Sequence, residues 1–410
     1  MMNILLVTFE FPPYTPAGGI GTYMLHLSKL LLGQGERVIV FSALPGAEAI
    51  KEVHGNNYSH FYVPAIDNLE FQDKALRLFE TFIENNQVDV IESPEVGACA
   101  IEIKRKYPHI PLVVKLHAPG VLITKISRYH QPLTAKLRFV LGAFLRGRID
   151  WGYWSSKDKN KLQDKEYQIC AMADLITSPS YALKRWVADF WDLPERKIKV
   201  VPNPFYPEDA LFALPIRKHT KQICFIGKLS ILKGMVNLTA AIPRILDANP
   251  DYRIVLVGRD EVENGYSMKA YMEQKLSAYK DRVLFTGPLS ADDVKNGYAS
   301  SDLCLVPSLW ENHPTVVLEG MASGTTVVAS NCGGIPEIIT EGINGILFDP
   351  RKPRSIAKKV NALLADKNRR LALADNARKT LLARLKEGAV NQEVINTYRT
   401  VAKVEYVNAD

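Results

Sequence analysis

The 410-residue chain lacks any apolar run near the ~18 residues that a membrane-spanning helix needs, so no such span is expected. It also lacks a CxxC pair. Its five cysteines (Cys99, Cys170, Cys224, Cys304 and Cys332) are scattered and lie near no histidine pattern. That argues against a disulfide framework or a structural zinc site, and for buried free thiols in a reducing compartment. The eight histidines show no ligand spacing, so no metal site is expected. No basic leader precedes the apolar start MMNILLVTFEF, which reads as a first strand rather than a signal peptide. A cytoplasmic protein is the expectation. Acidic residues are scarce over 101–161, where three Asp/Glu face thirteen Lys/Arg. Over 1–100 the balance reverses, with twelve acids and five bases, and the whole chain carries +7. The basic block implies either an anionic partner or a solvated helical surface.

What is present is a soluble composition, 47% apolar and 23% charged, in a chain long enough for two or three domains. Strand-length apolar runs recur at 3–8, 37–43, 88–93, 111–117, 174–178 and 198–203, then at 222–227, 253–258, 282–287, 302–308, 325–330 and 345–348. They are rich in Val and Ile and do not alternate, as expected of strands covered on both faces of a parallel sheet. Between them lie amphipathic stretches such as IGTYMLHLSKLLLGQG, where Ile20, Met24, Leu27 and Leu31 share a face and Gly33 and Gly35 supply stops. Alternating strand and helix predicts a doubly wound α/β architecture. The stretch 200–222 holds four prolines and then turns polar, as a linker does. The expected division is an N-terminal domain over 1–203, a second over 204–390, and a last helix over 391–410 able to pack on either. In such sheets ligands bind at the carboxyl ends of strands, so two facing domains would offer their post-strand loops to a cleft.

Those loops carry the chemistry. Gly18, Gly19 and Gly21 precede a helix whose first amides could meet an anion. A dinucleotide fingerprint is incomplete there: Met24 holds the third glycine's place and no acid ends the second strand. His117 follows a strand, where it could bond a sugar or move a proton. Lys228 and Lys233 share one loop and could neutralise a leaving diphosphate. In ENHPTVVLEGMASG, Pro314 suits a helix's first turn and Gly324 its stop, so Glu311 lies before the helix and Glu319 on it. The plain reading is a solvated Glu319 and a Glu311 that favours the helix dipole. The sharper one is that a carboxylate can accept from both hydroxyls of a diol while the helix start holds phosphate. An acid on each side of a phosphate site would fit a nucleotide sugar.

The E-x7-E spacing of Glu311 and Glu319 resembles that of the retaining glycosyltransferases of family 4, which have the GT-B fold. The likeness runs in order through PAGG, LHAPG at His117, ADLITSPS, VVPNP, GKLSILKG, VLVGRD, VLFTGPLS and the stretch 311–339. It implies an α/β fold of two facing Rossmann-like domains, the first for the acceptor and the second for the donor. It implies that Glu311 bonds the donor sugar, Glu319 the ribose, and Lys228 and Lys233 the diphosphate. Amides near Gly18 and Gly19, and those of Thr315 and Val316, would support phosphate and sugar, and Pro288 and Leu289 would border the base. His117 would sit beside the transferred sugar. No divalent metal or other cofactor is implied. The donor would be a nucleotide diphosphate sugar, UDP ahead of GDP, and the acceptor a saccharide or a lipid-linked saccharide in polysaccharide or glycoconjugate synthesis.

The chain departs from the pattern in places. Lys228 stands where arginine is common, keeping the charge without the bidentate fork. Asn312, His313 and Pro314 replace a G-F-G run, so Asn312 and His313 join the expected donor contacts and an amide contact shifts past Pro314. Glu92 and Glu95 occupy a loop that often carries histidine, and they are expected to read acceptor hydroxyls. The stretch 121–165 is long for its slot and mixes basic with apolar residues. An anionic membrane surface is its expected partner, on the inner face of the cell membrane. Nucleic acid is not, since no recognition module accompanies the charge. Two other readings stand beside transfer: an inactive nucleotide-sugar-binding scaffold, and another GT-B enzyme such as an epimerase.

Overall fold

The computed structural model describes residues 1–15, 18–130, 137, 141, 144, 161–216, 220–263, 266–386 and 388–407. It divides into two compact units. The first holds Met1–Gly120, Asp158–Tyr206 and Gly388–Asp410, and the second holds Val121–Lys157 and Pro207–Glu387, taken over the described residues.

The first unit is built on eight strands: β1 (Asn3–Thr8), β2 (Arg37–Ala43), β3 (Lys51–Gly55), β4 (Tyr58–Val63), β5 (Val90–Pro94), β6 (Leu112–Lys115), β7 (Leu175–Ser178) and β8 (Ile198–Val200). Their order is β3-β4-β2-β1-β5-β6-β7-β8. Every neighbouring pair is parallel except β3–β4, an antiparallel edge hairpin. Sequence periodicity misses this hairpin because β3 (KEVHG) is exposed along its whole length and has no apolar run to mark it. Central strands behave as foreseen: Ile4 to Val7 and Val38 to Phe41 are fully buried, as a sheet covered on both faces requires. The helix Gly19–Gly33 buries Met24, Leu27 and Leu31 on its predicted face.

The second unit has β9 (Gln222–Ile226), β10 (Arg253–Val257), a two-stranded hairpin of β11 (Val262–Glu263) and β12 (Tyr266–Ser267), then β13 (Val283–Gly287), β14 (Leu303–Val306), β15 (Thr326–Ser330) and β16 (Ile346–Phe348). The main sheet runs β13-β10-β9-β14-β15-β16 and is parallel throughout. Both units are thus Rossmann-like α/β. In each, the first strand has later strands on both sides, which makes a topological switch point: β1/β5 in one sheet and β9/β14 in the other.

The sequence leaves the last helix open between the two domains and assigns 121–130 to the first. The last helix, Ala389–Val407, packs on the first unit, sending Val394, Ile395, Tyr398 and Val401 into its core. Residues 121–130 group with the second unit, whose core Ile126 touches, rather than with the N-terminal domain. Most of 131–160, which holds the bulk of the expected membrane segment, lies outside the described residues.

Candidate active site

In the second unit the chemistry gathers at the carboxyl edge of the sheet, around the β9/β14 switch point. Beyond β9 the chain passes through Gly227, Lys228 and Lys233 to Gly234, and backbone bonds fasten this loop to its neighbours. Leu229 N donates to Arg259 O at 2.9 Å, and Leu309 N to Leu232 O at 2.8 Å. Gly234 has φ +76, and a Cβ there would lie 1.9 Å from Pro307 O, so only glycine lets the two loops meet. That closeness brings Lys233 to Glu311. Its Nζ donates to Glu311 Oε1 at 2.5 Å, and Ser308 Oγ donates to the same oxygen at 2.7 Å. The pair is largely shielded, with the Glu311 side chain 13% exposed. Glu311 is held from behind as well: its carbonyl accepts from Gly334 N at 2.7 Å, and Gly333 passes so close that a Cβ there would lie 2.0 Å from that oxygen.

The helix after β14 runs Thr315–Ala322, with Pro314 before it and no side chain capping its start. Gly324 (φ +64) ends it, packed where a side chain would strike Arg378 and Ile216. Both ends match the sequence reading. Thr315 is exposed, so the helix start faces solvent with its first amides outside the helical ladder. Glu319 is one turn further on. Tyr298 OH donates to its Oε2 at 2.9 Å and also lies 3.4 Å from Val316 O, which draws the carboxylate back toward the first turn. Burial raises the Glu319 pKa, an effect that Tyr298 opposes. Burial and the Glu319 charge keep the Tyr298 phenol protonated and donating.

The remaining predicted donor contacts sit on the same edge. Lys228 is exposed on its loop, and Pro288 and Leu289 are exposed after β13, where Gly287 O accepts from Gly258 N at 2.9 Å. Asn312 Oδ1 accepts from Trp310 Nε1 at 2.6 Å, and His313 is partly buried beside it.

In the first unit, His117 follows β6. Its ring meets Tyr23 edge-on, with centroids 5.1 Å apart. Burial and the nearby Lys115 hold the imidazole down to about 3, so it is neutral at ordinary pH. Gly18 and Gly19 start the helix Gly19–Gly33 without a side-chain cap. A Cβ at Gly18 would meet Glu10 Oε2 at 2.5 Å, whereas nothing lies within 4 Å of one at Gly19. The open approach is therefore at Gly19, while Gly18 makes room for an acid.

Glu92 and Glu95 need correction. Sequence reasoning assigns them to acceptor hydroxyls, but they are only 2% and 0% exposed. Glu92 accepts from Tyr23 OH at 2.7 Å and from Tyr398 OH of the last helix. Glu95 accepts from the backbone N–H groups of His117 and Ala118, each at 2.8 Å. Glu92 lies in the middle of β5 and Glu95 just after it, and both are enclosed by the elements around them. Among the described residues, no group of three or more His, Cys, Asp or Glu could hold a metal ion.

Comparison with known proteins bears on the family and the fold. Residues 17–209 match the family described as Glycosyltransferase Family 4, and residues 208–380 match Glycosyl transferases group 1. An uncharacterised glycosyltransferase of Methanocaldococcus jannaschii is 28% identical over 97% of this chain and 98% of its own length. Sucrose-phosphate synthase from Thermosynechococcus elongatus superposes with a TM-score of 0.74 at 19% identity, covering 98% of this chain and 100% of the other. Anabaena HepE, solved in complex with UDP-glucose, gives 0.67 at 19% identity over 98% and 100%.

The chain is a family 4 glycosyltransferase of the GT-B fold.

Sequence reasoning for this glycosyltransferase overlooks Tyr298 and Ser308. Tyr298 is 21 positions from Glu319 and reaches it only because its helix, Ala291–Ala299, packs against β9 beside the Glu319 helix. Ser308 had a local signal, since it lies three residues before Glu311 and ends the strand segment.

Proposed function

We propose that this glycosyltransferase moves a hexosyl group, with retention of anomeric configuration, from a nucleotide diphosphate sugar to a hydroxyl of a saccharide or lipid-linked acceptor in polysaccharide or glycoconjugate synthesis. The observation that carries this reading is one helix start framed by two acids of different setting. Glu311 is paired with Lys233, and Glu319 is bonded to a phenol. In the proposal the Thr315–Ala322 helix start and the ammonium groups of Lys228 and Lys233 take the diphosphate, Glu319 takes the ribose diol, and Glu311 takes the sugar hydroxyls. As the diphosphate leaves, its growing charge draws Lys233 away from Glu311, so the lysine binds the transition state more strongly than the ground state. The lysines and helix amides do this without a metal. The leaving phosphate then helps deprotonate the acceptor on the same face. His117, neutral, offers a hydrogen bond to the transferred sugar rather than a charge. UDP is favoured over GDP: HepE was solved with UDP-glucose, and a further GT-B neighbour from E. coli with UDP-2-fluoro glucose.

The test is a thermal-shift screen against nucleotides and nucleotide sugars, followed by donor turnover. A true donor raises Tm by mass action. Glu319→Ala should weaken nucleotide binding, and Lys233→Ala should slow transfer with less effect on binding. Two variants indistinguishable from the parent on a productive donor would refute the assignment. An inactive scaffold would show the thermal shift without turnover.

We also assign 121–165 to a peripheral contact with an anionic membrane on the cytoplasmic side. Among its described residues Leu137, Leu141 and Phe144, at helical spacing, are exposed, as is Tyr129. Among the described residues no helix is long and apolar enough to cross a membrane. Failure to float with phosphatidylserine vesicles at low salt would end this part of the proposal.

A further inference from the structure

Two acids stand behind the His117 loop that the proposed mechanism does not use. The loop leaves β6 at Lys115; Leu116 N still donates to Thr177 O of β7 at 2.8 Å, and the N–H groups after it turn to side chains instead. Glu95 meets the first two: both its oxygens lie 2.8 Å from His117 N, and Oε1 also lies 2.8 Å from Ala118 N. Glu166, at the start of the helix Lys165–Met172, meets the next: Gly120 N donates to its Oε2 at 2.7 Å. The helix that carries Glu166 packs on the turn just after Glu95, Val96–Ala98. Glu95 is fully buried.

We propose that Glu95 and Glu166 are positioning residues, one buried and one half-buried carboxylate that fix the backbone of residues 117–120 and so aim the His117 imidazole. This rests on the reading of His117 as the group beside the transferred sugar.

The pair is electrostatically linked. Burial, then the neighbouring Glu166 charge, pushes Glu95 up to about 8, and burial, with Asp164 adding, pushes Glu166 up to about 7. The other charged or titratable groups facing Glu95 are Lys115, Cys170 and His117. Burial brings Lys115 down to about 7, so it discharges in the same window, whereas His117 stays neutral throughout. Ionised carboxylates accept more strongly, so the grip on the loop tightens as pH rises through neutrality. Because Lys115 changes charge alongside, the comparison with variants isolates Glu95.

The experiment measures kcat and donor KM from pH 6 to 9 for the parent, Glu95→Gln and Glu166→Gln, with amide deuterium exchange over the His117 loop of each. Glutamine keeps the size, loses the charge and turns an acceptor into a donor. The expected result for Glu95→Gln is a kcat lower by about tenfold or more, with donor KM within about twofold. The parent's rise in kcat near pH 7–8 should flatten in that variant, and exchange at 117–120 should quicken in both. A Glu95→Gln enzyme with parental kcat and pH profile overturns the proposal. Should Glu95→Gln not fold, Glu166→Gln decides on the same readouts. Should the parent turn over no donor, the functional reading has failed, and the exchange decides alone: unchanged protection at 117–120 in both variants overturns the positioning role.

Discussion

Gly333→Ala offers a worked test of how the fold holds Glu311. Gly333 has φ +57, a conformation that costs an L side chain about 1–2 kcal/mol. Its new Cβ would also fall 2.0 Å from Glu311 O and 3.0 Å from Glu311 C. A comfortable carbon–oxygen contact is about 3.3 Å or more, so the Glu311 backbone must retreat by roughly 1 Å. That motion breaks the 2.7 Å bond from Gly334 N to Glu311 O, adding about 1–3 kcal/mol. Gly342→Ala is the control: φ is similar at +75, but nothing lies within 4 Å of the added carbon. The expected Tm losses are about 2–8 °C for Gly342→Ala and roughly 4–20 °C for Gly333→Ala, at about 2–4 °C per kcal/mol for a unit of this size. Displacing Glu311 by that much should lower kcat/KM by about a hundredfold in the Gly333 variant alone. Binding of the bare nucleotide diphosphate, measured by calorimetry, should change little, because Glu319 and the helix start are untouched. Differential scanning calorimetry and donor turnover decide. A Gly333→Ala protein that matches Gly342→Ala in both would show that Glu311 is not held through this contact.

Tyr298→Phe should weaken nucleotide binding by about ten- to 150-fold, since it strips Glu319 of a 2.9 Å phenolic donor worth about 1.5–3 kcal/mol; unchanged calorimetric affinity would refute the role. Tyr398→Phe should destabilise the first unit by about 1–3 kcal/mol in urea unfolding, because it leaves the buried Glu92 with one phenol fewer; no shift in midpoint would contradict the bond. His60 is buried between Ser42 and Tyr58, and burial lowers it from 6.5 to about 3. The unfolded chain therefore binds the proton first, and stability present above pH 6.5 should drain away as pH falls toward 3. His117 shifts in the same direction, so His60→Gln should reduce the slope of Tm against pH without abolishing it. An unchanged slope would place His60 outside the acid transition.

The legibility of this protein divides along one physical line. Strand-length Val/Ile runs, helical faces such as Met24–Leu27–Leu31, and stop residues such as Gly324 are local, and the sequence by itself determined two parallel-sheet units and the framed helix of Glu311 and Glu319. The family pattern in the same residues foretold the fold and the transferase class. The β3–β4 hairpin escaped because β3 is exposed along its whole length and carries no apolar run. What only the tertiary structure decided are the partners of charge. Glu92 and Glu95, read as acceptor contacts, turn out to be enclosed and hydrogen-bonded inward, while Tyr298, Lys233 and Tyr398 find their acids 21, 78 and 306 positions away. A carboxylate's cost of leaving water depends on which elements close over it, and that is set by sheet order and helix docking rather than by the residues on either side of it.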